Sequence, residues 1–273
     1  MKILIIGAGK MGEAILKVWL RKSSQLKIKV TVLEVDTKKA NEIQKKYAKV
    51  QVLKKISSMW QGDMLLLAVK PQTFNSISFC RIFEKINVKV IISIMAGISL
   101  NNLKNSIKKK VTYLRAMPNL ATIIGKGVTG IYARAKINKI HKNKIKELFE
   151  EMGSVFWLKT EDQFDPLTAI SGSGPAYFFL FLLTLRNTAK NLGFTNKMAN
   201  ELVLNTADGA LGVYKNNSNL EKLISDVTSP GGTTEAALKV LLKNRPNLIN
   251  IIEKAILAAN KRSKMLGKNA KRL

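Results

Sequence analysis

The sequence has little of the side-chain chemistry on which many enzymes depend. Its 273 residues include one histidine and one cysteine. A single cysteine, Cys80, excludes an intramolecular disulfide, and one cysteine with one histidine cannot form a zinc site unless carboxylates supply most of the ligands. His141 lies among lysines, which argues against histidine acid–base chemistry and a Ser-His-Asp triad. We therefore expect no metal, and chemistry carried by a bound cofactor.

Acidic residues are also scarce. The chain has 18 Asp and Glu residues against 46 Lys and Arg residues, which gives a formal net charge of +28. The lysines are spread along the whole chain, and their richest cluster, 136–146, is typical of the polar face of an amphipathic helix. Biased composition thus explains the charge better than a nucleic-acid partner does.

The longest strongly apolar stretch, 176–185, is much shorter than the roughly 20 residues of a membrane span. It predicts a buried core helix. The first residues are typical of a strand and not of a signal peptide. We therefore expect a soluble, cytoplasmic protein with no membrane partner.

The most informative part of the sequence is its beginning. Four apolar residues, Ile3 to Ile6, predict a buried strand, and a helical pattern follows residue 12. Between them, Gly7, Gly9 and Gly12 have the spacing G-x-G-x-x-G. Strand, glycine turn and helix occur in the order of a dinucleotide-binding unit, although a glycine turn that binds nothing is the alternative.

Each glycine has a physical role in this interpretation. Gly7 allows a tight turn after Ile6, and Gly9 lets a pyrophosphate approach the backbone. The amides of Lys10 and Met11 would then point at the phosphate groups from a helix N-terminus, where the helix dipole favours negative charge.

A second predicted strand, 29–35, bears on the choice of coenzyme. It ends near Glu34 and Asp36. An acid at this point normally accepts hydrogen bonds from the adenosine ribose hydroxyls and repels a 2′-phosphate, so Glu34 favours NADH. The nearby Lys38 and Lys39 could reverse that preference, which leaves NADPH or NADH open. Asp36 is also a candidate N-cap for a helix at 37–47.

Further strands are predicted at 64–69, 90–93 and 111–116, and their carboxyl ends should line the coenzyme crevice. Small residues there would allow a nicotinamide ring to approach closely, although tight packing alone is an equal alternative. An asparagine after the third strand could supply a fixed amide to the substrate pocket or be a turn residue. The residues concerned are Ala68, Val69, Lys70, Pro71, Ala96, Gly97 and Asn119.

After residue 160 the pattern is helical only, with helices predicted at 176–192, 197–214 and 248–266. The first is apolar on most sides, which suggests that a second subunit covers it. Between the last two, Gly231 and Gly232 would expose backbone amides, and Thr233 and Thr234 add hydroxyls at a helix start. This loop suits a small anion such as a carboxylate, or is only a helix cap.

Taken together, these motifs resemble the pyrroline-5-carboxylate reductase family. The resemblance covers nearly the whole chain and implies an α/β fold, with an N-terminal Rossmann-like dinucleotide-binding domain (1–160) followed by an all-helical dimerisation and substrate-binding domain (161–273). The matching segments, in the family's order, are G-A-G-K-M-G at 7–12, A-V-K-P at 68–71, A-G at 96–97, R-A-M-P-N at 115–119, S-G-S-G-P-A-Y at 171–177 and V-T-S-P-G-G-T-T at 227–234.

The resemblance also implies a reaction and roles for residues. The C=N bond of 1-pyrroline-5-carboxylate would accept a hydride from NADPH or NADH and give L-proline, in a homodimer or a larger assembly of dimers. Thr234 would be the catalytic residue and hydrogen-bond the substrate ring, while the amides of Gly232 and Thr233 hold its carboxylate. Glu161 and Thr168 match positions around the substrate pocket.

Two alternatives remain at this point. A related Rossmann reductase could act on another imine or on a hydroxy acid, although the latter class usually needs a protein acid that no distinctive motif supplies here. A non-catalytic relative could bind only nucleotide.

Overall fold

The protein is described by a computed structural model that covers residues 1–74, 81–243 and 245–269. Cys80 lies outside these ranges. The described ranges contain ten strands: β1 Lys2–Ile6, β2 Lys29–Leu33, β3 Gln51–Leu53, β4 Trp60–Gln61, β5 Met64–Leu67, β6 Ile86–Asn87, β7 Val90–Ser93, β8 Thr112–Pro118, β9 Gly127–Tyr132 and β10 Gly153–Trp157.

Twelve α-helices complete the described part of the chain. They are α1 Lys10–Arg21, α2 Ser23–Leu26, α3 Thr37–Lys46, α4 Pro71–Phe74, α5 Leu100–Ile107, α6 Lys139–Glu150, α7 Phe164–Leu167, α8 Gly174–Asn191, α9 Asn196–Asn216, α10 Leu220–Asp226, α11 Thr233–Lys243 and α12 Leu248–Asn269. Short 3₁₀ turns lie at Arg81–Lys85, Leu120–Ile124 and Glu161–Gln163, and a π-helical turn at Thr168–Gly172.

Eight of the strands form one sheet in the order β10-β9-β8-β7-β5-β1-β2-β3. The six strands from β8 to β3 are parallel to one another, and β9 pairs antiparallel with β8. The central strands are continuous apolar runs because helices cover both of their faces. Their carboxyl ends therefore lie at one edge, as the sequence predicted for a coenzyme crevice.

The first helix shows how the layers are held together. One face of α1 is buried, and Trp19 on that face is completely enclosed. Its indole N–H donates to the carbonyl of Leu148 in α6 at 2.9 Å, and its ring meets Phe149 edge-on at 6.0 Å. The lysines of 136–146 lie largely outside this contact, since α6 buries Ile145, Leu148 and Phe149. The predicted amphipathic helix is confirmed.

The chain divides into two compact units. One comprises Met1–Gly172 with the end of α12 from Asn260, and the other comprises Ser173–Ala259. The first unit contains the whole sheet. The second contains α8 to α11 and the first part of α12, and has no strand among the residues that the structure describes.

The apolar helix of the second unit is not buried within a single chain. Phe178 and Leu180, in the stretch 176–185 that was predicted to be a core helix covered by a second subunit, are 65% and 64% exposed. The reason is that α8 is apolar nearly all round, while α9 covers only part of it. The helical segment Glu161–Asn191 is long and apolar enough to cross a membrane, judged by length and composition only. Within its most apolar stretch of 18 residues, 11% is buried. One such helix is weak evidence for a membrane, and a protein partner covers such a face equally well.

Candidate coenzyme and substrate site

The glycine turn has the shape that pyrophosphate binding requires. Gly7 has φ +92°, and a Cβ atom there would lie 2.7 Å from Cγ1 of Val69 and 2.9 Å from the carbonyl oxygen of Ala68. Gly12 has no room either, because its Cβ would meet the carbonyl oxygen of Gly7. At Gly9 the nearest atom would be the Ala68 oxygen at 3.9 Å, so space is open beside the backbone. These residues fit a dinucleotide at the N-terminus of α1.

Glu34 lies directly beside this turn. Its carboxylate accepts the amide of Ala8 at 2.9 Å through Oε2 and the amide of Asp36 at 3.2 Å through Oε1. The residue is only 8% exposed, and the Lys39 ammonium is 4.0 Å from Oε2. The carboxylate is thus fixed where an adenosine ribose is expected. Asp36 also caps α3 by accepting the Lys39 amide at 2.9 Å, as predicted.

The predicted nicotinamide loop follows β7. Gly97 has φ +76°, a left-handed conformation that favours glycine. A Cβ there would lie 3.2 Å from the carbonyl oxygen of Leu266 and 3.5 Å from the nitrogen of Gly267. The small residue at 97 therefore serves close packing against the end of α12 as well as any approach of a ligand. Lys70 and Pro71 lie in the segment after β5, and Pro71 is the first residue of α4.

Both polar atoms of the Asn119 side-chain amide form hydrogen bonds within the chain. Its Nδ2 donates to the carbonyl of Ser171 at 2.9 Å, and its Oδ1 accepts the Val128 amide at 3.0 Å. Asn119 is 8% exposed. It therefore holds the end of β8, the start of β9 and the beginning of the S-G-S-G-P motif together. Thr168, in the π-helical turn, donates its hydroxyl to the carbonyl of Phe164 at 2.7 Å.

Glu161 has partners that the sequence did not reveal. Its Oε1 accepts the Leu100 amide at 2.9 Å and Nη1 of Arg115 at 2.8 Å. The guanidinium of Arg115 lies over the Phe164 ring, 4.4 Å from its centroid. The one indication of this ion pair in the sequence was a charged residue, Arg115, in a strand that is otherwise partly apolar. Its partner lies 46 positions further along the chain, where no local pattern connects the two.

The predicted anion loop lies in the second unit and is partly occupied by its own chain. The Gly231 amide donates to Oε2 of Glu235 at 2.7 Å, and the Gly232 amide donates to the carbonyl of Ser229 at 3.0 Å. The expectation that both amides are free is therefore wrong, because a carboxylate in the first turn of α11 folds back on the loop. The Gly231 hydrogen bond, with help from Lys239, lowers the pKa of Glu235 below its ordinary value.

The amides of Thr233 and Thr234, at the start of α11, have no acceptor within the described residues. They are the unpaired donors that every helix start provides, and they remain available to a ligand carboxylate. Among residues 1–74, 81–243 and 245–269, no three His, Cys, Asp or Glu side chains are grouped as metal ligands.

The fold and the glycine turn define a class, the oxidoreductases with a Rossmann-like coenzyme domain. Residues 2–97 match the family model described as NADP oxidoreductase, coenzyme F420-dependent, and residues 161–266 match the model described as pyrroline-5-carboxylate reductase dimerisation. The chain is 31% identical to pyrroline-5-carboxylate reductase of Pseudomonas aeruginosa over 264 residues, covering 96% of this chain and 95% of the relative. It belongs to the pyrroline-5-carboxylate reductase family.

Further relatives agree with this assignment. The enzyme of that name from Vibrio alginolyticus is 31% identical, with 98% of each chain covered. The solved structure of a pyrroline-5-carboxylate reductase from Coxiella burnetii is 31% identical, has a TM-score of 0.82 and covers 97% of each chain. A Plasmodium falciparum pyrroline carboxylate reductase with NADP bound, 24% identical, has a TM-score of 0.81 over 98% of each chain and shares the fold. The predicted fold class and family are confirmed.

Proposed function

We propose that this protein reduces 1-pyrroline-5-carboxylate to L-proline at the expense of NADH or NADPH. The observation that carries the proposal is the similarity to relatives named for this activity over nearly the full length, with 31% identity to the Pseudomonas aeruginosa enzyme. The open space at Gly9 and the free helix-start amides of Thr233 and Thr234 supply the two anion sites that the reaction needs, one for a pyrophosphate and one for a carboxylate.

The reaction places few demands on protein acid–base groups. When bound, NADH or NADPH supplies the hydride. The hydride adds to the carbon of the C=N bond, and the nitrogen, which carries a proton in the iminium form of the substrate, becomes the secondary amine of proline. One hydride and one proton are consumed in total, so the chain's own residues need only bind, orient and exclude water.

We assign the coenzyme contacts to one group of residues: Ile6, Gly7, Gly9, Lys10, Met11, Glu34, Ala68, Val69, Lys70, Pro71, Ala96 and Gly97. The substrate contacts are assigned to a second group: Asn119, Thr168, Gly231, Gly232, Thr233 and Thr234. In the second group the Thr233 and Thr234 amides hold the carboxylate, and the Thr234 hydroxyl hydrogen-bonds the ring. What supports these assignments is the match to the family motifs together with the donors described above.

We also propose a division into a coenzyme domain, 1–160, and a dimerisation and substrate domain, 161–273, in a cytoplasmic homodimer. The match of residues 161–266 to a dimerisation family and the exposed apolar side chains of α8 support this arrangement.

The decisive experiment follows the absorbance of NADH and NADPH with 1-pyrroline-5-carboxylate present. We expect oxidation of at least one coenzyme and stoichiometric formation of proline. Folded protein that consumes neither coenzyme would defeat the proposal. A panel of other cyclic imines and 2-hydroxy acids, in the reverse direction for the latter, separates the related reductases from the proposed activity.

A further inference from the structure

The partly buried ion pair between Arg115 and Glu161 connects three segments of the first unit. Oε1 of Glu161 accepts both Nη1 of Arg115, at 2.8 Å, and the backbone amide of Leu100, at 2.9 Å. The two side chains are 13% and 17% exposed. A carboxylate oxygen that accepts two donors, one of them a guanidinium, is held much more firmly than one in an exposed pair.

Both partners are fixed independently of each other. Arg115 belongs to β8, where it pairs with Ser93 of the neighbouring strand, and its guanidinium rests on the buried ring of Phe164. The backbone of Glu161 lies in a capping box in which the Gln163 side chain accepts the amide of Thr160. Glu161 is therefore a rigid point from which another segment can be held.

The segment held in this way is the loop after β7. Leu100 is the first residue of α5, so its amide marks the end of the loop that contains Ala96 and Gly97. The middle of the same loop is packed by Gly97 against Leu266 of α12. That helix is tied down by Ser263, whose hydroxyl donates to Asp165 at 2.7 Å. Residues 161 and 165 thus fix the loop from two sides.

We infer that Glu161, together with Arg115, is a positioning residue for the nicotinamide loop and not a ligand of the substrate. The inference rests on the proposed function only in calling the bound ring a nicotinamide. It revises the role that the family resemblance implied for Glu161. A loop that leaves β7 at the sheet edge where coenzyme binds must be ordered before the ring can be held beside it.

The first test uses coenzyme-free protein and needs no turnover. Amide hydrogen exchange is compared in peptides covering residues 94–104 for the wild type, Glu161→Ala, Glu161→Gln and Asp162→Asn. We expect exchange about tenfold faster in the alanine variant, because a charge-assisted hydrogen bond to a helix start is lost. The glutamine variant keeps an acceptor and should recover most of the protection. Asp162 is exposed, so its variant is the matched control and should not change exchange.

The second test separates positioning from substrate binding. Glu161→Ala should weaken NADH binding, measured by the fluorescence of bound NADH, by about tenfold, and the KM for pyrroline-5-carboxylate should change less than twofold. Arg115→Met should do the same, and the double variant should be no worse than either single one, since each removes the same ion pair. Unaltered exchange and NADH affinity with a raised substrate KM would overturn the inference. If Glu161→Ala does not fold, the same measurements of exchange, NADH affinity and substrate KM are made on Glu161→Gln and Arg115→Lys. A raised substrate KM with unaltered exchange and NADH affinity in these variants would again overturn the inference.

These outcomes are distinct from failure of the proposed function. Wild-type protein that binds NADH but reduces no pyrroline would refute the function, while the exchange and binding results would still decide the role of Glu161.

Discussion

Our expectation for the preferred coenzyme rests on Glu34. Its carboxylate is fixed by two backbone amides beside the glycine turn, so it cannot swing away from a 2′-phosphate. The Lys39 ammonium, 4.0 Å away and half in solvent, offsets this charge only in part. We expect kcat/KM to be higher with NADH than with NADPH, although relatives are described with NADP.

The corresponding variant is Glu34→Gln, which keeps one acceptor oxygen, for the shorter hydrogen bond from the Ala8 amide, and loses the negative charge. It should raise kcat/KM for NADPH roughly tenfold, since a like-charge contact of about 1.4 kcal/mol is removed. Steady-state assays with both coenzymes measure this. Glu42→Gln, an exposed acid on α3, is the control and should leave the ratio of the two constants unchanged. A wild-type preference for NADPH would show that the positive charges of Lys38 and Lys39 outweigh the negative charge of Glu34.

We expect substitutions at Gly9 and Gly12 to affect different properties, coenzyme binding at Gly9 and folding stability at Gly12. An added methyl group at Gly9 meets only the Ala68 oxygen at 3.9 Å, whereas at Gly12 it collides with the Gly7 carbonyl. Gly9→Val should therefore keep a melting temperature close to that of the wild type and lose coenzyme binding, measured by NADH fluorescence. Gly12→Val should unfold at a much lower temperature. Equal melting losses in both variants would mean that Gly9 is needed for packing and not for the ligand.

The Thr234 hydroxyl can be tested without disturbing the amides around it. Thr234→Ala keeps the backbone donors of the α11 start, so the carboxylate contact should survive while the hydroxyl is lost. We expect kcat to fall at least tenfold, as for the loss of a hydrogen bond that is stronger in the transition state. Thr234→Ser should restore most of the activity. An unchanged rate in the alanine variant would remove Thr234 from the catalytic machinery.

At the level of elements, apolar patterns predicted most of the sheet. The predicted strand 90–93 is β7 with the same bounds, and the predicted strand 64–69 contains β5, Met64–Leu67. β3 was missed because Gln51–Leu53 is too short to show a period. α5 was also missed, although its buried residues Leu100, Leu103 and Ile107 have helical spacing that could have predicted it. The glycine turn and Glu34 could be predicted because their chemistry is local. The partners of Glu161 could not, since only the fold brings residues 100, 115 and 161 together.

Asn119 joins β8, β9 and the S-G-S-G-P motif through a single side chain. Asn119→Ala would leave the Val128 amide and the Ser171 carbonyl without their partner in a buried place. We expect the free energy of unfolding to fall by roughly 1–3 kcal/mol, measured by urea denaturation. Asn105→Ala, on the exposed face of α5, is the control and should change it by less than about 0.5 kcal/mol. A neutral result at Asn119 would mean that water replaces both contacts.

For the whole molecule, the exposed apolar side chains of the second unit support the proposed homodimer. Phe178, Leu180 and Val240 are 65%, 64% and 71% exposed, and the family model matched by 161–266 is a dimerisation model. Exposed apolar surface of this extent is typical of a subunit interface. The high net charge does not oppose association there, since α8 carries only two basic residues, Arg186 and Lys190.

Leu180→Glu tests this arrangement, because burying a carboxylate without a partner at an interface is unfavourable. By sedimentation velocity we expect the wild type to be a dimer or a larger assembly, and the variant to dissociate or aggregate with loss of turnover. Lys139→Glu introduces a carboxylate on the exposed side of α6 and should leave both assembly and turnover unchanged. Because the proposed active form is a dimer, dissociation and loss of activity should occur together across protein concentrations. A wild-type monomer with full activity would contradict this assembly.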